Sequence, residues 1–273
     1  MTVPPPPPAW DDKVGRWSVS VRDTSTGQVV HEHAADRILS TASVAKVFAL
    51  VDLAARASAG QIDLHEVIER PADRAVADSG LWQHLAVDRL TLGDLAVLVA
   101  ATSDNWATNA LVDRLTLEAV QSLARRLAPG GSTLHDYVRD ERTADDPAAL
   151  SDGCADDWSQ LLADVASGTC VDEATSRQVA SWLSLNTDLS MVASAFQLDP
   201  LAHTAADLGV RLWNKTGTDL GVRADVGVVS GPVRSLAYAC LANWADDGSR
   251  EIRRQVLDSM RDLGEYIYAR VSG

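Results

Sequence analysis

Ser43 and Lys46 stand three residues apart in a stretch, Ser43-Val44-Ala45-Lys46-Val47-Phe48, that holds neither glycine nor proline. On a helix this spacing sets a hydroxyl and an amine side by side on one face. A serine hydroxyl becomes a useful nucleophile only when a base takes its proton, and a lysine can be that base when burial or a neighbouring cation lowers its pKa. The chemistry such a pair would support is attack on a carbonyl carbon to give an acyl-serine. At a helix start, backbone N–H groups would also face the negative charge that develops on the carbonyl oxygen. Alone, a serine and a lysine at this offset are a common coincidence, and their bland reading is a helix cap followed by a surface lysine.

Two further elements change that. Ser103-Asp104-Asn105 closes the apolar run 92–101, and Lys215-Thr216-Gly217 lies on an expected strand just before a turn. In this order and context the three elements resemble the signature of the serine β-lactamase and penicillin-binding protein family. The resemblance spans nearly the whole chain and includes the order of strands and helices. It implies that Ser43 is the acylated nucleophile, that Lys46 shuttles its proton or stabilises charge beside it, and that Ser103 relays a proton to the leaving nitrogen. Asn105 would bind the substrate's side-chain amide, Asp104 would hold its own loop in shape, and Asn109 would be structural. Lys215 and Thr216 would meet a substrate carboxylate, with Gly217 letting the strand backbone approach the ligand. The backbone N–H of Thr218 would join that of Ser43 in an oxyanion hole, each donor of which is worth about 3 kcal/mol. Arg223 stands where relatives carry a carboxylate-binding arginine, a surface ion pair being its alternative. No metal or organic cofactor is implied.

The family's Glu-x-x-x-Asn element, which activates the water that clears the acyl-enzyme, is missing here. Of the carboxylates between residues 137 and 150, Asp140 and Glu141 are the ones near the expected position. Glu141 is the candidate deacylating base, and a solvated charged loop is the competing reading. Acylation and turnover are therefore separate expectations. The leading function is β-lactamase-type hydrolysis of a β-lactam amide. A D,D-peptidase, amidase or esterase of the same fold, or a catalytically idle ligand-binding relative, stands beside it.

The elements that must position these groups follow from hydrophobic periodicity. Trp17, Val19 and Val21 alternate with Ser18, Ser20 and Arg22, the pattern of a half-buried strand, and Thr24-Ser25-Thr26-Gly27 supplies a turn to a returning strand over 28–33. Residues 43–56 read as a buried helix that Ser43 opens. The stretch 61–201 reads as helical, including 91–99 with a Thr-x-x-Asp start and 151–165 with an acidic opening. Strands return over 210–215, 224–229 and 236–242, and 251–271 closes the chain as an amphipathic helix. The expected fold class is α+β: an antiparallel β-sheet drawn from both chain ends and flanked by helices, with an inserted all-helical lobe. This is one β-lactamase-like domain over 1–273, with 1–57 and 205–273 as the α/β lobe and 58–204 as the helical lobe.

The 273 residues carry a formal charge of −14, which disfavours nucleic acid and anionic membrane surfaces as partners. No run approaches the length of a membrane helix. A small-molecule substrate and a monomer are expected. The start, Met1-Thr2-Val3 followed by Pro4 to Pro8, reads as a polyproline tail without the features of a secretory signal, so a cytoplasmic location is expected. Cys154, Cys170 and Cys240 give no disulfide framework. His31 and His33 share a strand face without a third ligand, so no metal site is expected there. Trp82 and Trp106 could wall the cleft, although core packing explains each as well.

Overall fold

Segment 16–23 forms a strand, as its alternation requires. The computed structural model describes residues 6–207, 209–246, 248 and 250–273, so the expected polyproline tail lies partly outside the described residues. The strands are β1 (Arg16–Asp23), β2 (Val29–His33), β3 (Leu39–Ser40), β4 (Val67–Glu69), β5 (Arg89–Thr91), β6 (Thr133–Leu134), β7 (Ser151–Gly153), β8 (Arg211–Asp219), β9 (Val222–Ser230) and β10 (Ser235–Asn243). The helices are α1 (Lys46–Ser58), α2 (Leu92–Thr102), α3 (Asn105–Leu115), α4 (Leu117–Leu127), α5 (Ala155–Ser167), α6 (Glu173–Leu183) and α7 (Arg250–Ser272).

The main sheet has five antiparallel strands in the order β2-β1-β10-β9-β8, so strands from both chain ends share it and β8 is an edge. Its two faces carry separate cores. On one face Trp17, Val19, Tyr238 and Cys240 pack with Met260 and Ile267 of α7. On the other, Ala224, Val226, Ala239 and Leu241 pack with α1 and α5. β1 is consequently buried on both faces. Its expected solvent face, Ser18 and Ser20, lies under α5. Ser20 Oγ sits 2.8 Å from Ser159 Oγ, and Ser18 Oγ accepts from the Ala155 amide at 3.0 Å. Polar side chains survive there because each has a partner.

α1 is buried without interruption from Lys46 to Ala54, as suits a helix surrounded by other elements. It begins three residues later than its composition suggests, because residues Ala42–Ala45 form a 3-10 turn with Ala42 at φ +47°. The expected Thr-x-x-Asp start of α2 is present as a reciprocal capping box between Thr91 and Asp94. The middle of the chain is not wholly helical: β4 pairs with β5, and β7 pairs with β3 and β6. β7 takes the first residues of the expected helix 151–165, and α5 starts at Ala155.

Behind β8 a buried polar network ties the edge strand to its surroundings. Asn214 Nδ2 donates to Asp225 Oδ1 at 2.9 Å, while Asn214 Oδ1 accepts from Asn186 Nδ2 at 2.8 Å. Tyr238 Oη also donates to Asp225 Oδ1, at 3.0 Å, and the Ala193 amide donates to Oδ2. Burial pushes the Asp225 carboxyl up to about 7 against these donors. Replacing Asn214 with Ala leaves a buried amide and a buried carboxyl each short of a partner. Chemical denaturation should show a loss of about 1–3 kcal/mol, and an unchanged midpoint would show the network to be dispensable.

Candidate active site

The segment carrying Ser103 is fixed from both sides. α2 ends with Ser103 in the left-handed conformation, φ +56°. Asp104 then caps α3 through Oδ1, which accepts from the Ala107 amide at 2.9 Å. Its Oδ2 accepts from the amides of Leu81 and Trp82 at 2.7 and 2.8 Å. A Cβ on Gly80 (φ +124°) would lie 2.4 Å from Asp104 Cγ, so glycine is required where the two loops meet.

Two lysines converge on Ser103 from opposite elements. Lys46 enters from α1, and its Nζ donates to the Ser103 carbonyl at 2.6 Å and to Asn105 Oδ1 at 2.7 Å, with Ser103 Oγ at 3.3 Å. Lys215 enters from β8, and its Nζ donates to Ser103 Oγ at 3.0 Å and to the Thr216 carbonyl at 2.8 Å. Both side chains are fully buried. Burial, and then the charge of Lys215, push the Lys46 pKa well below the ordinary lysine value, against Asp104 and Asp78. Burial lowers Lys215 to about 8, opposed by Asp188 and Asp225. Burial makes both amines easier to deprotonate, and Lys46 also has a second ammonium against it. Once neutral, it has two N–H groups for its two close oxygens, and a lone pair free to accept a proton.

Ser43 is held against the edge of the sheet. A Cβ on Gly217 would lie 2.2 Å from the Thr41 carbonyl and 3.1 Å from the Ser43 amide nitrogen, so only glycine allows β8 to pass the turn bearing Ser43 this closely. Among the described residues, no hydrogen bond joins the Ser43 hydroxyl to Lys46 or to any other group. Ser43 opens onto two adjoining cavities of about 360 and 450 Å³, which share Ser43, Asp78 and Thr218. Ser103 and Thr216 border the first, and Asn105 borders the second.

The structure thus gathers Ser43, Lys46, Ser103, Asn105, Lys215, Thr216, Gly217 and Thr218 around one cleft. It does not bring Glu141 there: Glu141 is exposed and borders neither cavity. Its neighbour Asp140 borders the second cavity, with Oδ1 held by the Ala77 amide at 2.9 Å. Arg223 also stays out. Its register partner is Thr218, yet its guanidinium donates to the Asp219 and Val222 carbonyls and lies over the Trp244 ring. Trp82 is fully buried in the core, and Asn109 clamps Val138 through both its amide atoms. Cys154, Cys170 and Cys240 are free and buried. Among the described residues no group of three potential metal ligands occurs, and no helix is long and apolar enough to cross a membrane.

Asp78 and Asp188 border the cleft without having been singled out from sequence. Asp78 lies four residues before Trp82, one of the two tryptophans considered for the wall of the cleft. Asp188 carries no comparable signal, since only the folded chain brings residues 186–188 next to Ser103.

Solved structures share this architecture. A β-lactamase from Sphaerobacter thermophilus DSM 20745 is 22% identical over 94% of this chain and 91% of its own, with a TM-score of 0.80. An ancestral class A β-lactamase of Gram-negative bacteria is 21% identical, covering 94% of each chain, with a TM-score of 0.77. The penicillin-binding protein PBP-A is 16% identical over 93% of this chain and 89% of its own, with a TM-score of 0.75. No curated protein matches the chain. The model of the beta-lactamase enzyme family matches residues 9–270. With the match running from before β1 into the last turn of α7, the chain belongs to the beta-lactamase enzyme family.

Proposed function

We propose that this chain is a serine hydrolase whose Ser43 is acylated by a small amide or ester, β-lactams included. The observation that carries the reading is the Ser103 hydroxyl held between two buried lysines of different proton affinity, in the wall of the cavity that Ser43 borders. Neutral Lys46 takes the Ser43 proton as Oγ attacks the carbonyl carbon. The N–H groups of Ser43 and Thr218 receive the oxyanion. As the bond to the leaving atom breaks, Ser103 gives that atom its proton and is resupplied by the lysines. Water then cleaves the acyl-serine ester and releases the acid.

The amidase or esterase reading, alongside β-lactam opening, draws support from the placement of Glu141 and Arg223. With Glu141 in solvent, Asp140 is the carboxylate of that loop that could activate water near Ser43. With Arg223 tied to its own hairpin, the carboxylate that β-lactams carry lacks its usual extra cation.

Intact-protein mass spectrometry after mixing with a penicillin tests the acyl-serine. A mass gain lost in Ser43→Ala is expected, and Asp140→Asn should prolong the adduct. A gain that persists in Ser43→Ala would refute the assignment. Because catalysis needs Lys46 neutral and Lys215 protonated, kcat/KM for any Ser43-dependent substrate should fall as pH rises through about 8. Lys215→Arg should remove that limb, since a guanidinium keeps its charge, and a limb that stays put would exclude Lys215 as its source. Gly217→Ala should slow acylation by a factor on the order of 100, read as the rate of adduct formation. A wild-type rate would mean that the close approach of β8 to Ser43 is immaterial.

A further inference from the structure

Trp10 ties the segment ahead of β1 to the main sheet through one polar contact. Its indole Nε1 donates to His31 Nε2 at 3.2 Å. An indole nitrogen can only donate, so His31 accepts, and its imidazole is neutral with the proton on Nδ1. The rest of the seat is aromatic. The Trp10 ring lies 4.9 Å from that of Trp17, 6.3 Å from that of His31 and 6.1 Å from that of His33, and His31 lies 5.4 Å from the Tyr266 ring of α7. The chain after Trp10 is held separately: Trp17 Nε1 donates to the Asp11 carbonyl at 3.3 Å, and Arg37 pairs with Asp12. Two groups able to carry positive charge face His31. His33 shares its face of β2, and Arg270 comes from α7 with its guanidinium 3.4 Å from the centre of the Tyr266 ring. β1 presents Val21 and Val19 in register with the two histidines, Glu32 lies on the opposite face of β2, and Asp11, Asp12 and Lys13 are exposed. Burial, and then His33 and Arg270, hold the His31 pKa below the ordinary histidine value.

We infer that Trp10 and His31 form a latch released by acid: a proton on His31 Nε2 takes the lone pair the indole needs and sets N–H against N–H, freeing the segment before Asp11. Release bares Trp17 beside β2, an edge of the main sheet. The inference is independent of the acyl-serine reading. Its sign follows from the contact, because the docked state excludes the proton and the released state accepts it. The docked-to-released ratio is therefore highest above about pH 6.5, where a free histidine is neutral, and falls by up to about tenfold per pH unit below that.

A nitroxide attached through Ala9→Cys tests this, since Ala9 is exposed and the three native cysteines are buried. Its electron paramagnetic resonance line shape should pass from restrained to mobile as the pH falls from about 8 toward about 5, read over the range in which far-UV circular dichroism stays constant. His31→Gln should abolish the pH response, and His33→Gln should keep it. Trp10→Phe, which retains a ring and loses the donor, should flatten it as well. A label equally restrained or equally mobile at both ends of that range, or a pH response that survives His31→Gln, would overturn the inference.

Discussion

Two amines buried around one hydroxyl set the terms for everything else in this molecule. A lone buried ammonium is costly, and two near one another cost more, because each charge disfavours the other. The structure meets that cost with oxygens: the Ser103 carbonyl and Asn105 for Lys46, the Ser103 hydroxyl and the Thr216 carbonyl for Lys215. Each of those oxygens belongs to a segment held elsewhere. Ser103 and Asn105 depend on the buried carboxylate of Asp104, and Thr216 depends on the edge strand that Asn214 ties to Asp225. Burial lowers the proton affinity of both lysines, and each has two carboxylates opposing that, Asp104 and Asp78 for Lys46 and Asp188 and Asp225 for Lys215; Lys46 in addition has the charge of Lys215 against it.

Geometry and electrostatics meet at Gly217. The missing side chain allows β8 and the turn bearing Ser43 to touch. The same contact keeps Lys215 close enough to Ser103 for a hydrogen bond. Backbone proximity and proton affinity are thus properties of one junction between an edge strand and a 3-10 turn.

Much of this was legible in the sequence, wherever local pattern decides the outcome. The period-two alternation of β1, the Thr91–Asp94 box and the stripe of α7 all appear where they were expected. The helix at Ser43 was misplaced by three residues because Ala42–Ala45 is shaped by β8, more than 170 positions away, and not by its own propensities. Burial of Ser18 and Ser20 escaped notice because alternation cannot reveal that α5 covers the second face. Arg223 lies on the strand beside the site, one residue outside the expected 224–229, but Trp244 and two local carbonyls hold its side chain elsewhere. Asp188 reaches the cleft only through tertiary packing, and Glu141 lies just one residue from the carboxylate that does border it.

The sheet order has a further consequence for the birth of the molecule. β1 pairs directly with β10, whose residues follow it by more than 200 positions, and α5 packs against both strands. Contacts closed over such distances form slowly, since the chain entropy must be surrendered before any contact rewards it. A nascent chain can build helices α2 to α4 while still attached to the ribosome. The turn bearing Ser43 has no edge strand to rest on until β8 has emerged, so the cleft around Ser43 is assembled only late in folding.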